Sequence, residues 1–301
     1  MTSHRGVTTI GNSALRAGFL VDQGMLGISL KHNGRELVAM PNSVDMYCAG
    51  KLTGIPLMHP WANRLRSHSY TVGIRTIDLP PSVPVDRNGL PMHGTLHGKT
   101  FTTTAHTADK LEAAFEFTDS ALLASFPFPH RIEVRAEVET IETSHSLTIT
   151  TTVTNLGAAA MPISFGWHPY LIASTAPRNL WRVRIPRCLR HGLDELLLPT
   201  GHVTSFPEYN RQLGATTFDD HFTLGDDRNF AISTDDTTIG ISFNDGYTHA
   251  QIYVPPDLGD GHQNFVCIEP MTARSNALGD GLAPMLDASA TFAAAFTITV
   301  T

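Results

Sequence analysis

The sequence is short of charge and of cysteine, and each shortage excludes a class of protein. Charged residues make up only 16% of the 301 residues, and no block rich in Lys or Arg occurs in a chain of formal charge -7. This balance argues against nucleic acid and anionic membrane surfaces as partners. The cysteines Cys48, Cys188 and Cys267 are odd in number and form no CxxC pair. The sequence therefore predicts neither a disulfide framework nor a zinc knuckle, and it indicates a reducing compartment.

Long apolar stretches are missing as well. No run of about 18 apolar residues occurs, and the N-terminal MTSHRGVTTIGNSALRAGFL lacks the basic start and continuous apolar core of a secretion signal. We therefore expect a cytoplasmic protein with no membrane partner. The Pro- and Gly-rich stretch IDLPPSVPVDRNGLPMHG leads into a histidine motif, so we interpret it as an active-site loop rather than a linker. Residues 1–301 are then expected to form a single domain.

Alternation with a period of two residues dominates the chain. In HRIEVRAEVET the apolar residues from Ile132 to Val138 alternate with charged ones, and HSLTITTTVTNLG continues the pattern. This predicts two adjacent, half-buried antiparallel strands. The same period marks TFAAAFTITVT at the C-terminus, while LGISLKHNGRELVAM predicts a hairpin around Asn33 and Gly34, and HAQIYVPP another strand. No stretch keeps helical spacing over three turns, so the sequence predicts an all-β sandwich or barrel.

The segment NFVCIEPMTARSNAL interrupts this rhythm. Its apolar run from Phe265 to Ile268 ends in a carboxylate, Glu269, which a proline follows. A strand that emerges into water would explain the charge. A base held in a cleft, where burial tunes its pKa, would explain it equally well.

Three further segments combine aromatic, Gly or Pro residues with functional polar groups: GIPLMHPWANRLRSHSY, GLPMHGTLHGKTF and SFGWHPYL. Taken alone, Arg64 is compatible with a surface ion pair, and His93 and His168 with ordinary hydrogen-bonded loop histidines. His93 and His97 have the four-residue spacing of a helical metal pair, but a glycine follows each and no HExxH carboxylate is present. We therefore predict that no metal is bound by this pair.

Together the motifs resemble those of the aldose 1-epimerase (galactose mutarotase) family, from about residue 10 to the C-terminus. The resemblance rests on the Asn-Arg of PWANRL, the His-Gly of PMHGTLHG, the His-Pro-Tyr of GWHPYL, the Asp-x-x-Phe of FDDHF and the Glu-Pro of CIEPMTARSNAL, in the family's order. It implies a large antiparallel β-sandwich of the galactose mutarotase-like supersandwich type. The active site would lie in a cleft on one sheet.

The resemblance also implies roles for individual residues. Glu269 would be the general base and His168 the general acid, and the residues that bind the sugar would be Asn63, Arg64, His93 and Asp219. The segment FDDHF offers two adjacent aspartates, so Asp220 stays open as an alternative. The segment HGTLHGKTF departs from the family's Gly-Gly-x-x-Gly-Phe pattern, which leaves His97 without a role.

The implied reaction interconverts the α and β anomers of a free aldohexose such as glucose or galactose, and it requires no cofactor. A base removes the proton of the C1 hydroxyl while an acid, here a protonated imidazole, protonates the ring oxygen; the ring opens, and the pair works in reverse to close it. Glu269 and His168 are then expected to lie about one sugar ring apart in a common cavity. Trp61, Trp167 and Tyr170 are candidates for the apolar face on which the sugar packs, and sandwich core is the alternative for the two tryptophans.

Other functions make different demands on the sequence. A hexose-phosphate 1-epimerase would need additional cations for a dianion, and beyond Arg64, Arg66 and Arg274 no cluster is obvious. A glycoside hydrolase would need two cooperating carboxylates. A non-catalytic carbohydrate-binding protein has no need of both Glu269 and His168. A mutarotase, as a monomer or homodimer, fits the motifs best.

Overall fold

The computed structural model describes residues 6–173, 175–256 and 264–301. In these ranges the helices are short: α1 (Val44–Cys48), α2 (Ser120–Leu123) and the 3-10 turns Val21–Gln23 and Arg178–Leu180. The strands are β1 (Thr8–Gly11), β2 (Leu15–Leu20), β3 (Leu26–His32), β4 (Arg35–Glu36), β5 (Leu57–Met58), β6 (Ser69–Val72), β7 (Arg75–Asp78), β8 (Thr102–His106), β9 (Lys110–Phe117), β10 (His130–Ile141), β11 (Ser144–Asn155), β12 (Met161–Pro162), β13 (Gly166–Trp167), β14 (Tyr170–Leu171), β15 (Arg182–Ile185), β16 (Cys188–Leu193), β17 (Pro199–Phe206), β18 (Tyr209–Gln212), β19 (Phe218–Leu224), β20 (Asn229–Ser233), β21 (Thr238–Phe243), β22 (His249–Val254), β23 (Val266–Met271), β24 (Met285–Leu286) and β25 (Thr291–Val300).

Two large antiparallel sheets dominate the architecture. A nine-stranded sheet has the order β18-β15-β20-β21-β25-β11-β10-β9-β8, and an eight-stranded sheet has the order β17-β16-β19-β22-β23-β13-β5, with β14 also paired to β23. Strands β1 to β4 form a four-stranded sheet, and β6-β7 and β12-β24 form small two-stranded ones. The predicted all-β, antiparallel sandwich is confirmed. None of the described helices is long and apolar enough to cross a membrane.

The strands follow the alternation in the sequence. Strands β10 and β11 pair over their full length, from His130 opposite Asn155 to Ile141 opposite Ser144, because both carry one apolar face and one polar face. The predicted hairpin is also present, since β3 and β4 pair on either side of Asn33 and Gly34. Both turn residues have positive φ, 49° and 83°, as the tight hairpin turn requires.

The hydrophobic core lies between the two large sheets. Ile132 and Phe296 of the nine-stranded sheet belong to the same buried cluster as Ile252 and Ile268 of the eight-stranded sheet. Burial of each such side chain stabilises the fold by about 1.5–3 kcal/mol before the entropy cost of ordering it.

Trp61 and Trp167 belong to this core and are fully buried. The indole Nε1 of Trp167 donates a hydrogen bond of 3.0 Å to Thr151 Oγ1 of β11, and its ring packs against Phe296 with centroids 6.1 Å apart. Of the two alternatives for these tryptophans, the structure therefore shows sandwich core.

The eight-stranded sheet uses its second face differently. Successive side chains of a strand point to opposite faces, so Val266 and Ile268 of β23 enter the core, whereas Cys267 and Glu269 point outward. Strand β23 does not end at Glu269 but continues to Met271, and every residue in it is buried. The charge therefore lies within a strand that is covered on both faces, rather than at a strand end exposed to water.

Candidate active site

A cavity of about 520 Å³ lies over the outer face of the eight-stranded sheet. It is lined by the six predicted site residues Asn63, Arg64, His93, His168, Asp219 and Glu269. A larger cavity of about 680 Å³ lies elsewhere, beside Ile28, Arg35 and Phe265, and contains none of the six. Convergent polar groups, rather than size, identify the candidate site.

Glu269 and His168 are in direct contact. The Nε2 atom of His168 lies 3.1 Å from the Oε1 atom of Glu269, and the two residues are 6% and 1% exposed. The sequence-based expectation of a separation close to one sugar ring is wrong, because the two side chains form a hydrogen bond.

Strand pairing explains this contact. Gly166 of β13 lies opposite Met271 of β23, and Tyr170 of β14 lies opposite Cys267. His168 is midway between Gly166 and Tyr170, and Glu269 is midway between Met271 and Cys267. His168 must therefore face Glu269. Its backbone N–H is bonded to the carbonyl oxygen of Pro56 at 3.1 Å, which anchors the segment that joins β13 to β14.

Burial displaces the pKa values of the pair in opposite directions. Burial, and then the charge of Asp219, raise the pKa of Glu269 well above its ordinary value, and Arg64 opposes the shift. Burial lowers the pKa of His168 to about 3. Both shifts favour a carboxylic acid beside a neutral imidazole over the ion pair with the protonated imidazole expected from the sequence. In either form the pair holds one proton.

Asn63 and His93 hold each other in place. Both have left-handed backbone conformations, with φ of 58° and 63°. The backbone N–H of Asn63 donates to His93 Nδ1 at 3.3 Å, and the N–H of His93 donates to the Asn63 carbonyl oxygen at 3.0 Å. Because Nδ1 accepts, the neutral ring carries its proton on Nε2, which is left to donate. Burial lowers the pKa of His93 well below its usual range, so the ring is neutral.

Glycine is required directly after His93. Gly94 has φ of 75°, and a Cβ atom at this position would lie 2.1 Å from the carbonyl oxygen of His59. Only glycine combines this conformation with so close an approach of two backbone segments. The His-Gly motif therefore contains one cavity residue and one backbone requirement.

Arg64 is held on three sides. Its Nε donates to Asp86 Oδ2 at 2.9 Å, its Nη1 donates to Asn63 Oδ1 at 3.1 Å, and its Nη2 lies 4.0 Å from Asp219 Oδ2. Burial alone would raise the pKa of Asp86, but hydrogen bonds from the Leu90 backbone, Arg64 and the Asn88 backbone outweigh it and lower the pKa. An ionised Asp86 therefore orients the guanidinium.

The last motif fixes the backbone on either side of Arg64. The N–H of Asn276 donates to the Arg64 carbonyl oxygen at 3.0 Å, and the N–H of Arg66 donates to Asn276 Oδ1 at 2.9 Å. Asn276 is 3% exposed. The segment that follows Glu269 in sequence thus holds the loop that carries Arg64.

The two adjacent aspartates of FDDHF point to opposite faces of β19. Asp219 lines the cavity, and its Oδ1 accepts a hydrogen bond of 2.7 Å from Gln251 Nε2. Asp220 points away and forms an ion pair with Arg190 at 2.6 Å. Gln251 lies directly opposite Glu269 in the pairing of β22 with β23, so the hydrogen-bond partner of Asp219 is also a strand neighbour of Glu269.

Several site residues were not predicted from the sequence. Asp86 lies in the predicted active-site loop, where its sequence context indicates only a short turn. Gln251 lies in an alternating strand, and nothing in the sequence distinguishes it from its neighbours. Of the three aromatic residues that the sequence offered as an apolar face for the sugar, Tyr170 lines the cavity and stacks on His168 with ring centroids 4.5 Å apart. His97 lies outside the cavity, edge-on to Tyr47 at 5.3 Å between centroids.

Comparison with known proteins agrees with this architecture. The sequence profile of the family described as aldose 1-epimerase matches residues 7–282. The chain belongs to the aldose 1-epimerase family. No curated protein matches it in sequence.

Solved structures share the fold at low sequence identity. A galactose mutarotase-like protein from Clostridium acetobutylicum is 19% identical with a TM-score of 0.83, covering 97% of this chain and 94% of the other. A putative aldose 1-epimerase from Escherichia coli K12 is 18% identical with a TM-score of 0.78, over 98% and 99% of the two chains. Galactose 1-epimerase from Lactobacillus acidophilus is 12% identical with a TM-score of 0.78, over 98% and 94%. At these identities the likeness shows the fold alone.

Proposed function

We propose that the protein is an aldose 1-epimerase that interconverts the anomers of a free aldose by general acid–base catalysis. The observation that carries the proposal is the hydrogen bond of 3.1 Å between His168 and Glu269 in a cavity lined by sugar-binding groups. The volume of this cavity, about 520 Å³, falls within the range of roughly 300–1,000 Å³ for small-molecule sites.

Ring opening uses the single proton that the pair holds. Transfer of this proton from Glu269 to His168 along their hydrogen bond gives a carboxylate and an imidazolium. Glu269 then removes the proton of the C1 hydroxyl while His168 protonates the ring oxygen, and the bond between C1 and the ring oxygen breaks.

Ring closure restores the starting state. After rotation about the C1–C2 bond, the alkoxide that forms from the C5 hydroxyl attacks the other face of the aldehyde as His168 removes its proton. Glu269 returns a proton to the carbonyl oxygen, which becomes the new C1 hydroxyl. No proton is gained or lost over the cycle.

The remaining cavity residues bind and orient the sugar in this proposal. Arg64 and the Nε2–H of His93 donate hydrogen bonds to sugar oxygens, and Asp219 accepts from a pair of hydroxyls. Asn63 and Asp86 position Arg64 through the contacts described above. Because these groups are already held in place, little ordering entropy opposes binding.

A sugar phosphate is the second candidate substrate, and a specific observation favours it. Lys51 and Arg87 line the cavity, and neither has an ion-pair partner within the described ranges. They supply the additional cations that were not obvious from the sequence, where Arg66 and Arg274 were considered instead. Those two are paired with Asp194 and Asp280.

Polarimetry on freshly dissolved α-D-glucose, α-D-galactose and glucose 6-phosphate tests the proposal. We expect the protein to accelerate the approach to anomeric equilibrium for at least one of them, and the ranking separates free from phosphorylated substrates. Buffer alone and heat-denatured protein are the controls. If none of these sugars, nor a wider panel of aldoses, is accelerated above the controls, the proposal is wrong.

A further inference from the structure

Three histidines converge on the outer face of the eight-stranded sheet, outside the sugar cavity. His191 lies on β16, His221 on β19 and His249 on β22, which are neighbouring strands. One ring nitrogen of each lies within 4.8 Å of the others. The ring centroid of His221 is 4.9 Å from that of His191 and 5.3 Å from that of His249.

The central histidine is short of hydrogen-bond partners. His221 is fully buried, and within the described residues neither Nδ1 nor Nε2 makes a hydrogen bond of good geometry. The Gln251 side chain is close enough to hydrogen-bond to His221 and raise its pKa, but it can occupy only one of the two ring nitrogens, and its Nε2 already donates to Asp219. Buried polar side chains almost always have a partner, and a bound ion is one of the recognised explanations when they do not.

The two outer histidines each have a hydroxyl partner for one nitrogen. The Thr248 hydroxyl donates to the Thr272 carbonyl oxygen at 3.0 Å, so in its contact of 2.9 Å with His249 Nδ1 it accepts. This places the proton of His249 on Nδ1 and leaves the lone pair of Nε2 free. His191 Nε2 contacts the Thr223 hydroxyl at 2.8 Å, which leaves Nδ1 available as a ligand atom. A hydrogen-bonded second nitrogen is the usual arrangement of a metal-binding histidine.

We propose that His191, His221 and His249 bind one divalent transition-metal ion, with Zn²⁺ as the foremost candidate. Three imidazoles without a carboxylate suit Zn²⁺, Co²⁺, Ni²⁺ or Cu²⁺ and not Mg²⁺ or Ca²⁺. Tetrahedral zinc with Zn–N bonds of about 2.0–2.1 Å places its ligand nitrogens roughly 3.3 Å apart. The observed spacing, within 4.8 Å, is therefore close to that of a bound site, and the nitrogens must approach one another when the ion binds.

The electrostatic surroundings both favour and oppose the ion. Burial is the largest cause that lowers the pKa of each of the three histidines, to about 4 for His249. The rings are therefore neutral at physiological pH, as ligands must be. Arg274 contributes to the same shifts and would repel a cation, but its guanidinium is paired with Asp280. Arg274 is expected to weaken the affinity without blocking the site.

The test is a titration of the untagged, chelator-treated chain with Co²⁺, whose visible absorption reports its coordination, followed by displacement with Zn²⁺. We expect one equivalent to bind per chain with a dissociation constant in the micromolar range or below. His191→Gln and His249→Gln should weaken binding at least 10–100-fold, the loss that even outer-shell partners of metal ligands cause. The matched control is the variant that carries both His32→Gln and His145→Gln, because it removes another histidine pair, with rings 5.2 Å apart, and should bind as the native chain does.

A measurement on the native chain makes the test independent of how the variants fold. Zn²⁺ should raise the melting temperature, and a chelator should reverse the rise. If the native chain binds no equivalent of Co²⁺ or Zn²⁺, or if both cluster variants bind as tightly as the control variant, the metal site does not exist. Neither result bears on the proposed epimerase activity, which uses other residues.

Discussion

The Nε2 atom of His168 and the Oε1 atom of Glu269, 3.1 Å apart, hydrogen-bond the proposed acid to the proposed base. The pair is therefore a single titrating unit, and its proton can move without exchange with solvent. A sugar that places its C1 hydroxyl and ring oxygen between these two groups replaces one hydrogen bond with two.

Glu269→Gln removes the base and preserves the shape of the side chain. We expect the rate of mutarotation, measured by polarimetry, to fall at least about 100-fold, the typical contribution of a positioned general base. Because burial raises the pKa of Glu269 and so favours its neutral form, a neutral amide should change the melting temperature little. The control is Glu116→Gln on the nine-stranded sheet, which should keep full activity. A Glu269→Gln variant with native turnover would show that Glu269 is not the base.

The pH dependence of kcat/KM should be flat around neutrality and asymmetric. The active pair holds one proton. The raised pKa of Glu269 moves the loss of that proton to higher pH, and the pKa of His168, lowered to about 3, keeps a second proton off. We therefore expect activity to fall on the alkaline side and to stay level from about pH 7 to about pH 5. A decline over that interval, with a midpoint near that of free histidine, would contradict the coupled pair.

Asp219→Asn and Asp220→Asn form a matched pair of neighbouring substitutions. Asp219 lines the cavity, whereas Asp220 is paired with Arg190 on the other face of β19. We expect the first variant to raise KM about 10-fold or more, because a charged hydrogen-bond acceptor for the sugar is worth about 1.5–3 kcal/mol. The second should leave KM and kcat unchanged. Equal effects in steady-state kinetics would contradict the assignment of Asp219.

Asp86→Asn tests whether orientation of Arg64 matters. The substitution replaces a carboxylate oxygen 2.9 Å from Arg64 Nε with an oxygen or NH₂ group of an uncharged amide. The loss of about 1.5–3 kcal/mol for a charge-assisted hydrogen bond predicts a decrease in kcat/KM of about 10–100-fold. Asp194→Asn, which breaks the exposed pair with Arg66, is the control and should have little effect. Native kinetics in Asp86→Asn would show that Arg64 is positioned without it.

His97→Leu should stabilise the protein in acid. Burial lowers the pKa of His97 to about 4, so between that value and the unfolded value of about 6.5 only the unfolded chain binds the proton. This histidine's contribution to stability is complete above about pH 6.5 and is lost as the pH falls toward 4. Relative to the native chain, the leucine variant should gain about 2 kcal/mol between pH 8 and pH 5 in urea unfolding. His202→Leu, at an exposed position, is the control. An equal effect of His97→Leu at both pH values would contradict a neutral, buried His97.

Strands with one solvent face and one core face were predictable from the sequence. Strands β10, β11 and β25 show the period of two clearly, since their polar residues face water. Strand β23 shows no such alternation and begins with consecutive apolar residues, because it is buried on both faces. Strands as short as β5, β13 and β14 carry no pattern at all, and only their neighbours define them.

The motifs predicted which residues line the cavity but not how those residues meet. Trp167 and His168 are adjacent in sequence, yet the alternation of side chains sends the first into the core and leaves the second in the cavity. Gln251 acquires its place from the register of β22 against β23. Register between distant strands depends on the complete fold, so a single sequence does not reveal it.

Ile268 and Glu269 are adjacent in β23 and point to opposite faces of the sheet. The proposed activity therefore depends on the correct register of this strand. A slip of one residue in this strand would drive the carboxyl into the sandwich interior and place Ile268 in the cavity. Such a misaligned chain would be unstable and inactive at once. The proposed epimerase activity would therefore measure the fraction of correctly registered molecules in a preparation, including among variants whose overall β-sheet spectrum looks native.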